Sequence, residues 1–260
     1  MYDLPELRPA TDAWWRGVAR ALRAAGIEDV PATLTRDADC DPLRCPELLL
    51  AQTCGYPLTH ELAGVVELIA TPAYSASGCI GADYCSLVVI ADDNTAEELD
   101  DLRGSVCAYN ARNSQSGYNV LRSTVAPLAR GGTFFSRLVE SGGHAASLEM
   151  VAAGEADLCA VDCVTHALIV RCRPDALAGT RVLVATEKAP CLPYVTRAGV
   201  DSDFVRRLRD GLDEAFADPR LADARGALLL AGAHVLDDAA YQCIVDMETA
   251  ARAAGYAELG

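Results

Sequence analysis

The stretch NARNSQSGYNVLR, residues 110–122, decides how the chain is read. An apolar run, SVCAYN, leads into it, and a helical pattern, GYNVLRSTVAPLA, leads out, so a strand passes through small hydroxyl and amide residues into a helix. The head of a helix carries backbone N–H groups without partners and about half a positive charge from the macrodipole. Ser114, Ser116 and the backbone at Gly117 therefore suit the oxygens of a tetrahedral anion, with Gly117 letting the backbone come close. A simple N-cap uses only one of these serines, and that alternative stays open.

The same grammar runs outward from this point. Upstream, Thr11 and Asp12 offer an N-cap for a helix with Trp14, Val18, Leu22 and Ala25 inward, stopped by Gly26. Strands are expected at 48–51, in VVELIATPAY as far as Thr71 and Pro72, and in YCSLVVIADD, with AEELDDLRG a short helix after the last. Downstream, SGGHAASLEMVAAGEADLCAVD reads as a loop, a helix with Leu148 and Val151 inward, a Gly154 stop and a buried strand at 158–161. TRVLVATEKAPCLPYVTR gives strand, turn and strand, and the C-terminal third is helical. Strands alternating with helices predict an α/β fold with mainly parallel sheets, and 260 residues are enough for two lobes. Strand ends and helix heads that converge on one crevice are where such sheets bind ligands, which draws in Thr53 and Tyr56 from QTCGYP, and His144 and Asp162. Each has a plainer reading: Tyr56 a turn aromatic, His144 a surface histidine, Asp162 a strand-end cap.

Composition narrows the partners. Lys and Arg total 22 against 37 Asp and Glu, a formal charge of -15, which argues against nucleic acid and anionic membrane surfaces. An anionic ligand must then be held locally. No apolar run approaches the ~18 residues of a membrane span, the richest being ARGALLLAGAHVL. The eleven cysteines are odd in number and irregular in spacing, as expected of reduced core thiols. Cys40/Cys45, Cys79/Cys85 and Cys159/Cys163 do not make the two-residue spacing of zinc knuckles, and neither metal nor cofactor is expected.

Several segments together resemble the phosphate/phosphite/phosphonate substrate-binding proteins of ABC transporters, which have the two-lobed type 2 periplasmic-binding-protein fold: LLLAQTCGYPL, ATPAYSASGCIGADYCSLVVI, LRGSVCAYNARNSQSGYNVLR, SGGHAASLEMVAAGEADLCAVD and GYAEL. The S-x-S-G element and the His-then-Asp pair are the specific parts. The resemblance implies a cleft between lobes at 1–88 plus 190–260 and at 89–189, with crossovers near Val89 and Thr186. It also implies anion contacts from Tyr56, Ser114, Gln115, Ser116, Gly117, His144 and Asp162, no catalysis, and an ABC-transporter permease as partner. Such proteins normally carry a secretory signal, and MYDLPELRPATDAWW shows none, so a cytoplasmic place is expected for the chain as it stands, and a periplasmic one if the true start lies upstream. The rival readings are an enzyme on the same scaffold, with His144 and Asp162 as acid and base, and a ligand-responsive regulatory subunit. Asp162 itself constrains the ligand. A carboxylate beside a phosphorus oxyanion is repelled unless a proton or an ammonium lies between them, so the ligand should bring a donor.

Overall fold

Two amphipathic helices and a four-stranded sheet build the first lobe. The computed structural model describes residues 2–36 and 41–260; Cys40 lies outside them. Helix α1 (Arg8–Ala24) begins three residues before the expected cap, with Pro9 in its first turn, and buries Trp14, Trp15, Val18 and Leu22. Thr11 and Asp12 serve elsewhere, Thr11 donating to Asp3 (2.7 Å) and Asp12 pairing with Arg36 (2.8 Å). Strand β1 (Ala51–Gln52) is shorter than the apolar run suggested, and the Leu48 carbonyl before it accepts from Thr196 Oγ1 (3.1 Å) and from the Arg197 N–H (3.4 Å) of the neighbouring strand. Next come α2 (Gly55–His60) and β2 (Val66–Tyr74), which continues through Thr71 and Pro72 to Tyr74.

The chain then crosses to the second lobe along β3 (Asp83–Ala91). AEELDDLRG yields only a single 3-10 turn at Leu99–Leu102, where Asp101 reaches back to the backbone at Glu97 and Glu98. After β4 (Val106–Tyr109), a π-helical segment, Gln115–Asn119, runs directly into α3 (Val120–Val125). There follow β5 (Arg137–Glu140), α4 (His144–Ala152), β6 (Leu158–Asp162), α5 (Cys163–Cys172) and the long β7 (Thr180–Pro190). Back in the first lobe are β8 (Tyr194–Arg197), α6 (Ser202–Ala217), α7 (Ala222–Ala227), β9 (Leu230–His234) and α8 (Gln242–Ala253).

The architecture is two-lobed α/β, but the strand directions are more mixed than alternation predicts. The first sheet, β1-β8-β2-β9, is antiparallel throughout. The second, β5-β4-β6-β3-β7, is parallel where helices connect β4, β5 and β6, and antiparallel where β3 meets β6 and β7. The cause is the crossing. β3 carries the chain into the second lobe and β7 carries it out, so the two lie side by side in opposite senses, which a strand–helix pattern does not encode. Tyr84, Cys85 and Ala189 pack in one core and Val88 and Ile90 in another, so the core changes along β3. The range expected in the first lobe up to residue 260 ends in a tail that packs on the second: Tyr256 and Leu259 join its core, and the Gly260 carbonyl accepts from Phe134 N–H (2.8 Å).

A buried ion pair fixes this tail and α8 against α3. Arg122, 2% exposed, donates to the Ala257 carbonyl (2.8 Å) and to Asn119 Oδ1 (2.6 Å), and lies 3.3 Å from Glu248 Oε1. Burial pushes the Glu248 pKa up, but Arg252, His60 and Arg122 outweigh it and hold it down at about 2. Glu248→Ala leaves Arg122 buried with its charge uncompensated and should lower unfolding free energy in urea by about 3 kcal/mol. Loss of the exposed partner in Arg252→Ala should cost under about 1 kcal/mol. Equal losses would contradict this account.

Candidate functional site

The amides and hydroxyls of residues 110–122 divide into two sets. Gln115, Asn119 and Arg122 turn toward α8: Gln115 Nε2 meets Met247 Sδ (3.2 Å), and Asn119 Nδ2 donates to Gln115 Oε1 (2.7 Å) and to the Ile244 carbonyl (3.0 Å). These side chains anchor the helix. Asn110, Ser114 and Ser116 instead line a cavity of about 290 Å3, together with Thr53 and Cys54 of the first lobe. The π-helical register accommodates both sets at the helix head, a local geometry that recurs at functional sites.

Ser114 is the N-cap, its Oγ accepting from Gly117 N–H (3.0 Å), so the plain reading of that serine holds while its own O–H stays available. The Gln115 N–H goes to Cys54 Sγ across the cleft (3.3 Å). Among the described residues the Ser116 N–H has no partner. Gly117 is required by packing. A Cβ there would collide with Asn110 Oδ1 and come within 3.1 Å of His144 Cε1.

His144 opens α4 and Asp162 closes β6, and the cleft brings them together with Ser116. His144 Nε2 lies 2.8 Å from Ser116 Oγ and 3.6 Å from Asp162 Oδ2. Asp162, 2% exposed, also caps α5 through Thr165 N–H (2.7 Å). Burial lowers the His144 pKa and the Asp162 charge only partly offsets this, so the ring is neutral at pH 7. Where the proton sits on Nε2, no ring lone pair faces the Asp162 oxygen. Ser116 Oγ then accepts, and its own proton is free to point into the cavity.

Buried polar atoms without partners gather at this place, whereas native structures leave few such atoms anywhere. Tyr2 Oη, Asn110 Oδ1 and His144 Nδ1 are three of them, all on cavity-lining side chains. Tyr84 Oη, a fourth, is close enough to Ser116 and Asp162 to feel both. No Lys or Arg among the described residues lines the cavity, so every donor it offers is a neutral group. A second hollow of about 210 Å3 beside α1, lined by Trp14, Trp15 and Leu34, contains none of Ser116, His144 and Asp162. Among the described residues no group of three or more His, Cys, Asp or Glu is placed to hold a metal, and no helix is long and apolar enough to cross a membrane.

Of the expected contacts, Ser114, Ser116, His144 and Asp162 line the cavity, and Gly117 stands beside them. Gln115 offers only backbone, because its side chain lies on the face that anchors α8. Tyr56 is elsewhere. Its ring stacks on His60 (centroids 4.0 Å apart) and its hydroxyl donates to Glu248 Oε2 (3.1 Å), since α2 begins at Gly55 and turns it away from the strand end. Tyr2 and Asn110 were not foreseen. Asn110 sat at the strand end where ligand groups gather; Tyr2 has no periodic pattern around it to place it.

A family model described as the ABC transporter, phosphonate, periplasmic substrate-binding protein matches residues 47–241. The chain belongs to this family. Membership in the phosphonate-binding family makes it a non-catalytic binder of small phosphorus oxyanions rather than an enzyme. Solved structures agree on the fold. A binding-protein component of an ABC phosphonate transporter from Pseudomonas aeruginosa superposes with TM-score 0.75 at 18% identity, over 93% of this chain and 82% of that one. PhnD1 from Prochlorococcus marinus, solved with methylphosphonate, gives 0.72 at 14%, over 91% and 90%. XAC2383 from Xanthomonas citri, solved with chloride, gives 0.70 at 16%, over 97% and 95%. Among curated proteins none matches the sequence.

Burial sets the sign of a pH effect in this member of the family. The folded pKa of His144 lies below its ordinary 6.5, so the unfolded chain takes the proton first and the native state loses stability as pH falls through that value. His166, lowered by burial as well, adds to the slope. His144→Gln should therefore flatten the fall in Tm between pH 7 and pH 5.5 without ligand. An unchanged slope would contradict a buried neutral His144.

Proposed function

We propose that the cleft holds the phosphoryl end of a small phosphonate or phosphite through Ser114, Ser116, the free Ser116 N–H and His144, with Asp162 accepting a proton that the ligand brings. The observation that carries this reading is the Ser116–His144–Asp162 group, set among buried polar atoms that lack partners. With a neutral histidine and one carboxylate, the cleft is negative before any ligand enters. A ligand oxygen facing Asp162 must therefore carry hydrogen, as a P–OH does, or the ligand must supply an ammonium. Sulfate, fully ionised, supplies neither. Asn110 Oδ1 and Tyr2 Oη give further places for a donor or an oxygen. Four or five hydrogen bonds of about 1.5 to 3 kcal/mol each are enough for micromolar binding, about 8 kcal/mol, after association costs. The receiving partner on this reading is an ABC-transporter permease, as in the family.

Titration calorimetry with methylphosphonate, phosphite, aminoethylphosphonate, phosphate and sulfate tests the assignment. At least one phosphorus compound should bind at micromolar level and sulfate should not. Ser116→Ala, His144→Ala and Tyr2→Phe should each weaken the best ligand about tenfold or more, roughly 1.4 kcal/mol, while Tyr56→Phe leaves affinity unchanged. A flat trace for every phosphorus compound, or variants as tight as wild type, would refute it.

A further inference from the structure

The loop at 75–82, where the chain first leaves the first lobe, folds back on the head of α5. Cys79 in this loop is half-buried, and its Sγ lies 3.5 Å from Cys163 Sγ. Cys163 is 1% exposed and directly follows Asp162. Gly78 makes the approach possible. Its φ of +100° is a glycine conformation, and a Cβ at that position would sit 2.8 Å from Cys85 Sγ and 3.1 Å from Cys163 Cβ. Cys85 in turn adjoins Cys163, and Cys191 adjoins Cys79, so four thiols surround the point where loop, crossing strands and α5 meet. Anion binding uses none of them, and they form no metal-holding group. What remains is the chemistry of thiols in pairs.

We propose that Cys79 and Cys163 form a modification site, an intramolecular disulfide that ties the loop after β2 to the first turn of α5 and slows ligand exchange from the cleft. The oxidant is a small disulfide of the oxidised-glutathione class. The Cys79 thiol, the more accessible, loses its proton and its sulfur attacks one sulfur of the reagent. The reagent S–S bond breaks, and one small thiolate leaves. Cys163, deprotonated in turn, attacks the Cys79 sulfur of the mixed disulfide and expels the second thiolate. The two protein protons end on the two leaving thiolates. Two protein thiols are thus oxidised by two electrons, and one small disulfide is reduced to two thiols.

The setting explains the consequence. Cys163, Val164 and Leu168 of α5 pack in the same core as the first-lobe strands, so separating the lobes would slide the head of α5 past the 75–82 loop. A bond at that contact also fixes Asp162, its neighbour in the chain, against the first lobe. The bond closes a long loop of chain and should raise Tm by about 5 °C or more. The pair reacts slowly at neutral pH. Contact with Cys163 pulls the Cys79 pKa down, but Cys191 and burial push it further up, to about 12, and the Cys163 thiol is raised by its contact with Cys79 and by burial. Cross-linking should accordingly speed about tenfold per pH unit between pH 7.5 and 8.5.

The effect on exchange rests on the anion-binding reading, whereas the bond does not. The test incubates the full chain with oxidised glutathione at pH 8.5, blocks remaining thiols by alkylation and maps cross-linked peptides by mass spectrometry. A Cys79–Cys163 peptide is expected, absent from Cys79→Ser and from Cys163→Ser. Stopped-flow dissociation of methylphosphonate should slow tenfold or more in the cross-linked protein and recover with dithiothreitol, and Cys79→Ser should keep the reduced rate with or without oxidant. A bond to Cys85 or Cys191, glutathione adducts alone, or a cross-linked protein that exchanges at the reduced rate would overturn the proposal. If methylphosphonate binds neither form, the ligand reading fails while the mapped bond still decides the site.

Discussion

A buried carboxylate facing the cleft cavity is the constraint on which the proposed anion site depends. Asp162 is almost completely enclosed, with one oxygen spent on the cap of α5 and the other turned to His144. Among the described residues no Lys or Arg lines the cavity to cancel that charge. Such a site can take a negative guest only if hydrogen lies between the two charges and if neutral dipoles supply the rest of the attraction. The head of the helix after β4 supplies those dipoles. On the proposed reading, a chain with a formal charge of -15 holds an anion without lysine because the field is local, directed and made of backbone and hydroxyl groups.

Directed dipoles need a rigid mount. The second face of the same helix provides it, through Gln115, Asn119 and Arg122 locked onto α8 and the C-terminal tail. Arg122 is buried and paired with Glu248, which also holds Tyr56 and His60 of α2. One ion pair therefore joins elements of both lobes behind the cleft while Ser114, Ser116 and His144 face the cavity. The tail, docked through Tyr256, Leu259 and Gly260, adds a third connection beside the two crossing strands.

Much of this was legible in the sequence, for physical reasons that can be named. The strand, serine loop and helix at 105–129 announced themselves because period and composition change together there, and the His144 and Asp162 positions follow from a helix head and a strand end. What stayed hidden is tertiary. The direction of β3 and β7 depends on where the chain crosses between lobes, which no local pattern carries. Gln115 was expected as a contact only through the family resemblance, and the helix head turns its side chain to Met247 of α8 instead. Tyr56 lies only two residues beyond Cys54, yet α2 begins at Gly55 and turns the ring toward α8. Tyr2 reaches the cavity from a segment with no periodic signal at all.

The most direct measurement is the amide proton spectrum of the isotope-labelled protein as methylphosphonate is added. If helix-head dipoles grip the anion, the Ser116 amide proton should move strongly downfield on saturation, as expected of an N–H that gains a charged acceptor, and the amides of α6, remote from the cleft, should stay in place. A Ser116 amide that does not respond to a bound phosphonate would contradict the central claim.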